Sequence, residues 1–310
     1  MTFAFVFPGQ GSQSVGMMQP FAESSAVRTV FGEAGDVLGQ DLWKLAAEGP
    51  ADALSATVNT QPLMLTAGYA VYRAWREAGG GEPSLVAGHS LGEYTALVAA
   101  GAIAFRDALP LVRFRAQAMQ EAVPVGEGAM AAILGLEDEA VLATCKEAAQ
   151  GQVVEPVNFN APSQVVIAGH RAAVERGVAA AKAQGAKRAM MLPVSAPFHS
   201  SLLKPAADKL ASYLEKVPFT APRIPVINNV DVAVEDEPGR IKQSLARQAC
   251  NPVRWVDVVR RIATGGVKHV VECGPGKVLA GLTKRIDGSL QSHSITDGQS
   301  LQQTLAAVKS

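Results

Sequence analysis

Gly88-His89-Ser90-Leu91-Gly92 matches G-x-S-x-G, with glycines two positions either side of a serine. That spacing suits a nucleophile elbow, because small residues let the chain turn sharply while the serine takes a strained backbone conformation. A helix following the turn aims its N-terminal amides and positive dipole end at the serine, where negative charge grows during acyl transfer. An ordinary strand-to-helix corner also fits these five residues. A serine hydroxyl attacks poorly until a base takes its proton, and five histidines are available. His89 sits inside the turn and points away from Ser90 if neighbouring side chains diverge. His269 is flanked by valines and suits core or strand edge, His170 opens a helix as a cap or surface residue, and His293 lies in a polar stretch. His199 lies in a proline-bracketed loop, 193–200. Loops held by rigid elements often carry chemistry, so for His199 a base and a structural residue stand level on spacing alone.

The elements needed to position these groups are legible in outline. Residues 3–7 are wholly apolar and stop at Pro8-Gly9, as in a central strand buried on both faces. Helical spacing follows over 61–78 up to three glycines, then a strand over 84–88, a small-residue helix over 91–100 and another helix over 106–121. The rhythm changes after Pro124. Strands over 129–134, 153–158, 165–168 and 187–192 alternate with helices over 138–149 and 172–184, giving β-α-β-β-α-β. Beyond it come a helix from 201, a strand at 225–227, helices near 240 and from 254, a strand at 267–272 and a helix after Gly276. The expected fold is α/β: a hydrolase-like main domain with a parallel sheet and nucleophile elbow, residues 1–124 and 196–310. A ferredoxin-like α+β small domain, 125–195, interrupts it.

Composition narrows the class. The chain has 310 residues, 48% hydrophobic and 18% charged, so it can bury a sizeable core. Lys and Arg number 28, as do Asp and Glu, and a net charge of zero argues against binding nucleic acid or membrane by bulk charge. Three scattered cysteines form no metal or disulfide pattern. The first ten residues lack a basic n-region, and no apolar run reaches about 18 residues, so neither a signal peptide nor a membrane span is expected. A cytoplasmic location follows as an expectation. An esterase would use the same elbow with a triad such as Ser90, Asp257 and His293. Gly9-Gln10-Gly11 after a strand suggests a dinucleotide site, but Ser14 stands where a third glycine belongs. A non-catalytic carrier-binding module is a third reading, with no use for a nucleophile.

Five separated motifs in order decide among them: 7–13 (FPGQGSQ), 88–93 (GHSLGE), 198–200 (FHS), 251–255 (NPVRW) and 272–276 (ECGPG). Together they resemble the malonyl-CoA:acyl carrier protein transacylase family of type II fatty acid synthesis, related to polyketide-synthase acyltransferase domains, over essentially the whole chain. The resemblance implies that Ser90 carries the acyl group and His199 serves as base and then acid. It also implies that the backbone carbonyl of Gln248 orients the histidine in place of a carboxylate, and that the N–H groups of Gln10 and Leu91 form the oxyanion hole. Arg115 becomes the residue that selects malonyl, through paired hydrogen bonds to its free carboxylate; by composition alone Arg113 is as good a candidate. Phe198 stands where many free-standing members carry a small residue, and reads as a wall against 2-methyl branches. Asn158 and Asn160 are candidates to line the cleft, with turn formation as the plainer alternative, and Phe159 reads as packing. The resemblance further implies a malonyl-CoA substrate, acyl carrier protein as partner, no cofactor and a monomer. Lys187, Arg188, Lys284 and Arg285 are candidates for a basic rim facing an acidic carrier.

Overall fold

The computed structural model describes residues 2–194 and 196–309; Ser195, where the expected small domain ends, lies outside the described residues, as do Met1 and Ser310. Among the described residues the strands are β1 (Phe3–Phe7), β2 (Leu85–Gly88), β3 (Gly128–Leu134), β4 (Val154–Ala161), β5 (Gln164–His170), β6 (Arg188–Met191), β7 (Val226–Ile227), β8 (His269–Cys273) and β9 (Gln291–Ile295). One sheet, ordered β7-β2-β1-β8-β9, is parallel throughout. Its centre is β1, buried at every position because helices cover both faces. Phe5 packs at 5.2 Å on Trp75 of the helix Thr57–Glu77, while Ala4 and Val6 join a second cluster with Trp255, Val259 and Ile262.

The helix Thr57–Glu77 starts four residues before the expected 61, with Pro62 inside it. The proline forfeits one bond, to the carbonyl of Val58, on a residue that remains exposed. Residues 12–60, for which the sequence reading assigns no element, hold the helices Ser25–Leu38, Leu42–Glu48 and Ala51–Ser55. The first is capped by Ser24 Oγ, which accepts from Val27 N–H, and ends at Gly39 with φ +62°. Also unassigned in that reading are β9 and the closing helix Gly298–Lys309. The edge strand β9 has a polar sequence, QSHSI, with no long apolar run to betray it.

The second sheet is antiparallel, ordered β4-β5-β3-β6, with the helices Asp138–Ala149 and Arg171–Ala183 packed on it through Val141, Cys145, Ile167, Val174 and Ala181. Its edge strand β4 contains Pro156 and shifts register at 156/158 and 159/161, the edge being where a proline is tolerated. Those irregularities present Asn158 and Asn160, which lie in a strand and not in the turn considered from sequence. Edge strand β4 also reaches the first unit: Val253 N–H donates to Val157 O at 2.9 Å and Phe159 N–H to Val253 O at 3.0 Å. The segment that leads into the helix Trp255–Thr264 is thereby clipped to the antiparallel sheet.

Beyond β2 the chain turns into the helix Gly92–Ala99. A Cβ on Gly88 would lie 1.9 Å from the Gly92 carbonyl carbon, and one on Gly92 would lie 2.0 Å from Phe7 O. Backbone stands where either side chain would go, which is why the motif needs both glycines. Between them Ser90 adopts φ +52°.

Candidate active site

Ser90 projects from this turn into a cleft of about 440 Å³ lined from both units, by Gln10, Leu91, Arg115 and His199 on one side and Met130 and Asn158 on the other. Holding a serine at positive φ costs about 1–3 kcal/mol, and several bonds at about 0.5–1.5 kcal/mol each surround it. Asn229 Oδ1 accepts from Ser90 N–H at 2.7 Å, and Gln248 Nε2 donates to Ser90 O at 3.0 Å.

The side chain of Ser90 meets His199, with Oγ and Nε2 2.7 Å apart. His199 Nδ1 lies 2.8 Å from the backbone oxygen of Gln248. A carbonyl oxygen can only accept, so Nδ1 carries the proton, and the neutral ring leaves Nε2 free to accept from the serine hydroxyl. Burial and then the Arg115 charge push the His199 pKa down to about 3, against the opposing pull of the Gln248 carbonyl. The ring is therefore unprotonated and able to accept at neutral pH.

Arg115 is 1% exposed and reaches the same serine: NH2 donates to Ser90 Oγ at 3.1 Å and to Gln248 Oε1 at 2.9 Å, and NH1 donates to Gln61 Oε1 at 2.8 Å. Its Nε has no partner, and its guanidinium lies 5.3 Å over the Tyr94 ring. Arg113, two residues along the same helix, points elsewhere, donating to Leu38 O and Gln40 Oε1. The tie that composition leaves open is broken by which helix face meets the cleft. A buried cation of this kind is costly without an acceptor, and Arg115 forms no salt bridge among the described residues. Glu93, whose charge does bear on it, is also buried, and burial raises its pKa to about 7.

Among the described residues neither the Gln10 nor the Leu91 N–H has a protein acceptor, and both residues line the cleft. Phe198 lines it too and is 9% exposed. Asn160 faces the cleft with Oδ1 taken by His89 Nε2 at 2.8 Å, whereas the buried Asn158 Oδ1 is unpartnered. His89 lines the same cleft as Ser90 but is committed to Asn160 and packs on Trp255.

The other candidates stay apart from this group. His293 pairs with His269 across β8 and β9 at 3.1 Å, and Asp257 pairs with Arg254, so the esterase triad is not assembled. His170 Nδ1 accepts from Val153 N–H and makes no side-chain cap to its own helix. Arg285 is committed to Gln164 at the start of β5 and to Pro162 in the turn before it, while Lys187, Arg188 and Lys284 are exposed. Sequence reasoning misses Gln61, Glu93 and Asn229. The one readable signal is a glutamine among the buried positions of Thr57–Glu77, most of which are apolar apart from threonines such as Thr60 and Thr66.

Residues 4–296 match the acyl transferase domain family. The chain is 56% identical over 304 residues to the malonyl CoA-acyl carrier protein transacylase of Escherichia coli (strain K12), covering 98% of each. The enzyme of that name from Bacillus subtilis (strain 168) is 44% identical over 308 residues, with 99% of this chain and 97% of that one covered. Among solved structures, an acyl-carrier-protein S-malonyltransferase from Burkholderia pseudomallei 1710b is 67% identical with a TM-score of 0.98, covering 99% of this chain and 100% of that one. A malonyl-transacylase solved in complex with its type II polyketide-synthase acyl carrier protein is 53% identical, with a TM-score of 0.98 over 99% of this chain and 100% of that one.

Proposed function

Because this chain belongs to the acyl transferase domain family, we propose that it transfers malonyl from malonyl-CoA to the phosphopantetheine thiol of acyl carrier protein, for fatty acid synthesis. The observation that carries this reading is the Arg115 guanidinium 3.1 Å from Ser90 Oγ. A malonyl ester has its free carboxylate one methylene from the reacting carbonyl, so it requires a cation that close to the nucleophile. Malonyl replaces the serine oxygen as acceptor for a guanidinium otherwise held only by neutral partners.

In the first half-reaction Ser90 Oγ attacks the thioester carbonyl and its proton moves to His199 Nε2. The oxyanion is held by the Leu91 and Gln10 amides, which are in place before charge develops. The C–S bond breaks, His199 gives its proton to the departing sulfur, and coenzyme A leaves. In the second half the carrier thiol gives its proton to His199 while its sulfur attacks the ester, and Ser90 leaves with the proton returned. The Gln248 carbonyl keeps the ring oriented throughout. Thioester is exchanged for thioester, so the equation balances without metal or redox cofactor, and none is part of the proposal. Phe198 acts as the wall that disfavours 2-methyl branches, worth about 1–3 kcal/mol; a Phe198→Ala variant using methylmalonyl-CoA no better than the parent would sink that role. Asn160, held by His89, lines the substrate side of the cleft.

Two separate sheets and an apolar cluster confined to the helix-covered face of the antiparallel one support a division into a hydrolase-like α/β unit, 1–124 with 196–310, and a ferredoxin-like insert, 125–195. Met130, Val157, Val166 and Ala168 of the insert pack into the main cluster. No helix of the described residues is long and apolar enough to cross a membrane. A cytoplasmic monomer that meets its carrier at the cleft completes the reading.

Initial rates with malonyl-CoA and holo acyl carrier protein varied together should give parallel double-reciprocal lines, with negligible turnover of malonyl-CoA when the carrier is absent. Intersecting lines would contradict a covalent relay, and steady coenzyme A release without carrier would favour a hydrolase. The His199 environment sets a pH test as well. Its folded pKa, about 3, lies below the ordinary histidine value of 6.5. The stability it contributes is therefore present above pH 6.5 and is lost progressively as pH falls towards 3. For activity, kcat/KM reports the free enzyme, and His199 should add no fall between pH 8 and pH 6. The buried carboxyl of the site that titrates in that range is Glu93, at about 7, so a fall centred near pH 6.5 that persists in Glu93→Gln would contradict a desolvated His199.

A further inference from the structure

We propose that Asn229 is the positioning residue for Ser90, holding the nucleophile in its left-handed conformation through one carboxamide that binds both peptide groups flanking His89. The inference rests on Ser90 being the nucleophile of the reading above. Asn229 Oδ1 accepts from Ser90 N–H at 2.7 Å, and Nδ2 donates to Gly88 O at 2.7 Å. An acceptor and a donor are needed side by side, within reach of the turn from a residue 139 positions away in sequence. A carboxamide supplies that pair, a carboxylate offers two acceptors, and leucine offers bulk alone.

The clamp is itself anchored. Asn229 is wholly buried just beyond β7; its N–H donates to Glu93 Oε2 at 2.9 Å and its carbonyl accepts from Arg254 N–H at 3.2 Å. Glu93 Oε2 also accepts from Gln248 Nε2 at 2.8 Å. With Nε2 turned toward the oxygens of Glu93 and Ser90, Gln248 has only Oε1 left for Arg115, which donates to it at 2.9 Å. One buried network thus ties the backbone of the nucleophile to the cation and to the residue that orients His199. Without the Asn229 carboxamide, Ser90 N–H is free and the turn can relax to negative φ, carrying Oγ away from His199 Nε2 and the Leu91 amide.

The test measures phosphonylation of Ser90 by a fluorophosphonate, in which Oγ displaces fluoride and its proton passes to His199, so no acyl donor is involved. Asn229→Leu and Asn229→Ala, each checked for a cooperative melt, should label at least tenfold more slowly than the parent. With malonyl-CoA their kcat should fall in parallel while KM stays within threefold. A packing role alone predicts that Asn229→Leu, which keeps the bulk, labels like the parent. A folded Asn229→Leu that loses less than tenfold therefore overturns the proposal, and if it does not fold, Asn229→Ala is judged by the same limit. A parent that labels at Ser90 but accepts no malonyl would remove the transacylase reading, while the comparison among the variants still decides this one.

Discussion

His199→Ala should lower transfer of malonyl to acyl carrier protein by about 10³-fold, with KM for malonyl-CoA within a few-fold of the parent. General acid–base catalysis contributes about 10²- to 10⁴-fold, and in the proposed relay this ring serves both half-reactions: it deprotonates Ser90 and protonates the leaving sulfur, then reverses both roles. The loss should fall on kcat because His199 lies 2.7 Å from Oγ while the side chain proposed to bind the carboxylate is a different one, Arg115. Ser90 keeps its backbone partners Asn229 and Gln248 in the variant, so the turn is preserved and only the proton acceptor is gone. Added imidazole, small enough for the space vacated, should recover part of the rate. A loss below tenfold would show that another group takes the serine proton.

Arg115→Ala should cut kcat/KM for malonyl-CoA by about 10²- to 10⁴-fold, which follows from a cost of about 3–5 kcal/mol for stripping a buried charge of its partner. The sign for a neutral donor is opposite. In the parent an acetyl group leaves the guanidinium with only neutral acceptors in a site where it is 1% exposed, and removing the cation removes that penalty, so acetyl-CoA gains relative to malonyl-CoA. Arg115→Lys keeps the charge and loses the planar fork, which places it between the two. Competition between the donors, followed as the ratio of their kcat/KM values, measures this directly. A ratio unchanged by Arg115→Ala would remove the residue from donor selection.

Most of the frame that carries this chemistry is readable from residue pattern. The apolar run of β1, the glycines flanking Ser90 and the β-α-β-β-α-β order each have a periodic or steric signature, and all appear where expected. Elements outside the apolar pattern escape: β9 is polar, and the short helices before Thr57 carry their signal mainly in caps such as Ser24 and Asp41. Side chains of the site divide in the same way. His199 is 109 residues from Ser90, and nothing in its spacing distinguishes it from the other histidines; the order of motifs does. Asn229 and Glu93 carry no periodic signal, because they hydrogen-bond segments that meet only in the folded chain. Gln61 does lie on the buried face of Thr57–Glu77, but its partner Arg115 is 54 residues away. Arg115 against Arg113 is settled by the helix face that meets the cleft, a property of packing that composition does not hold.

The proposed relay requires a malonyl ester on Ser90, which intact-protein mass spectrometry detects after a brief incubation with malonyl-CoA. The parent should gain the mass of one malonyl group and lose it again when holo acyl carrier protein is added, whereas Ser90→Ala should gain nothing. A well-folded parent that forms no adduct and releases no coenzyme A, or an adduct that persists in Ser90→Ala, would contradict it.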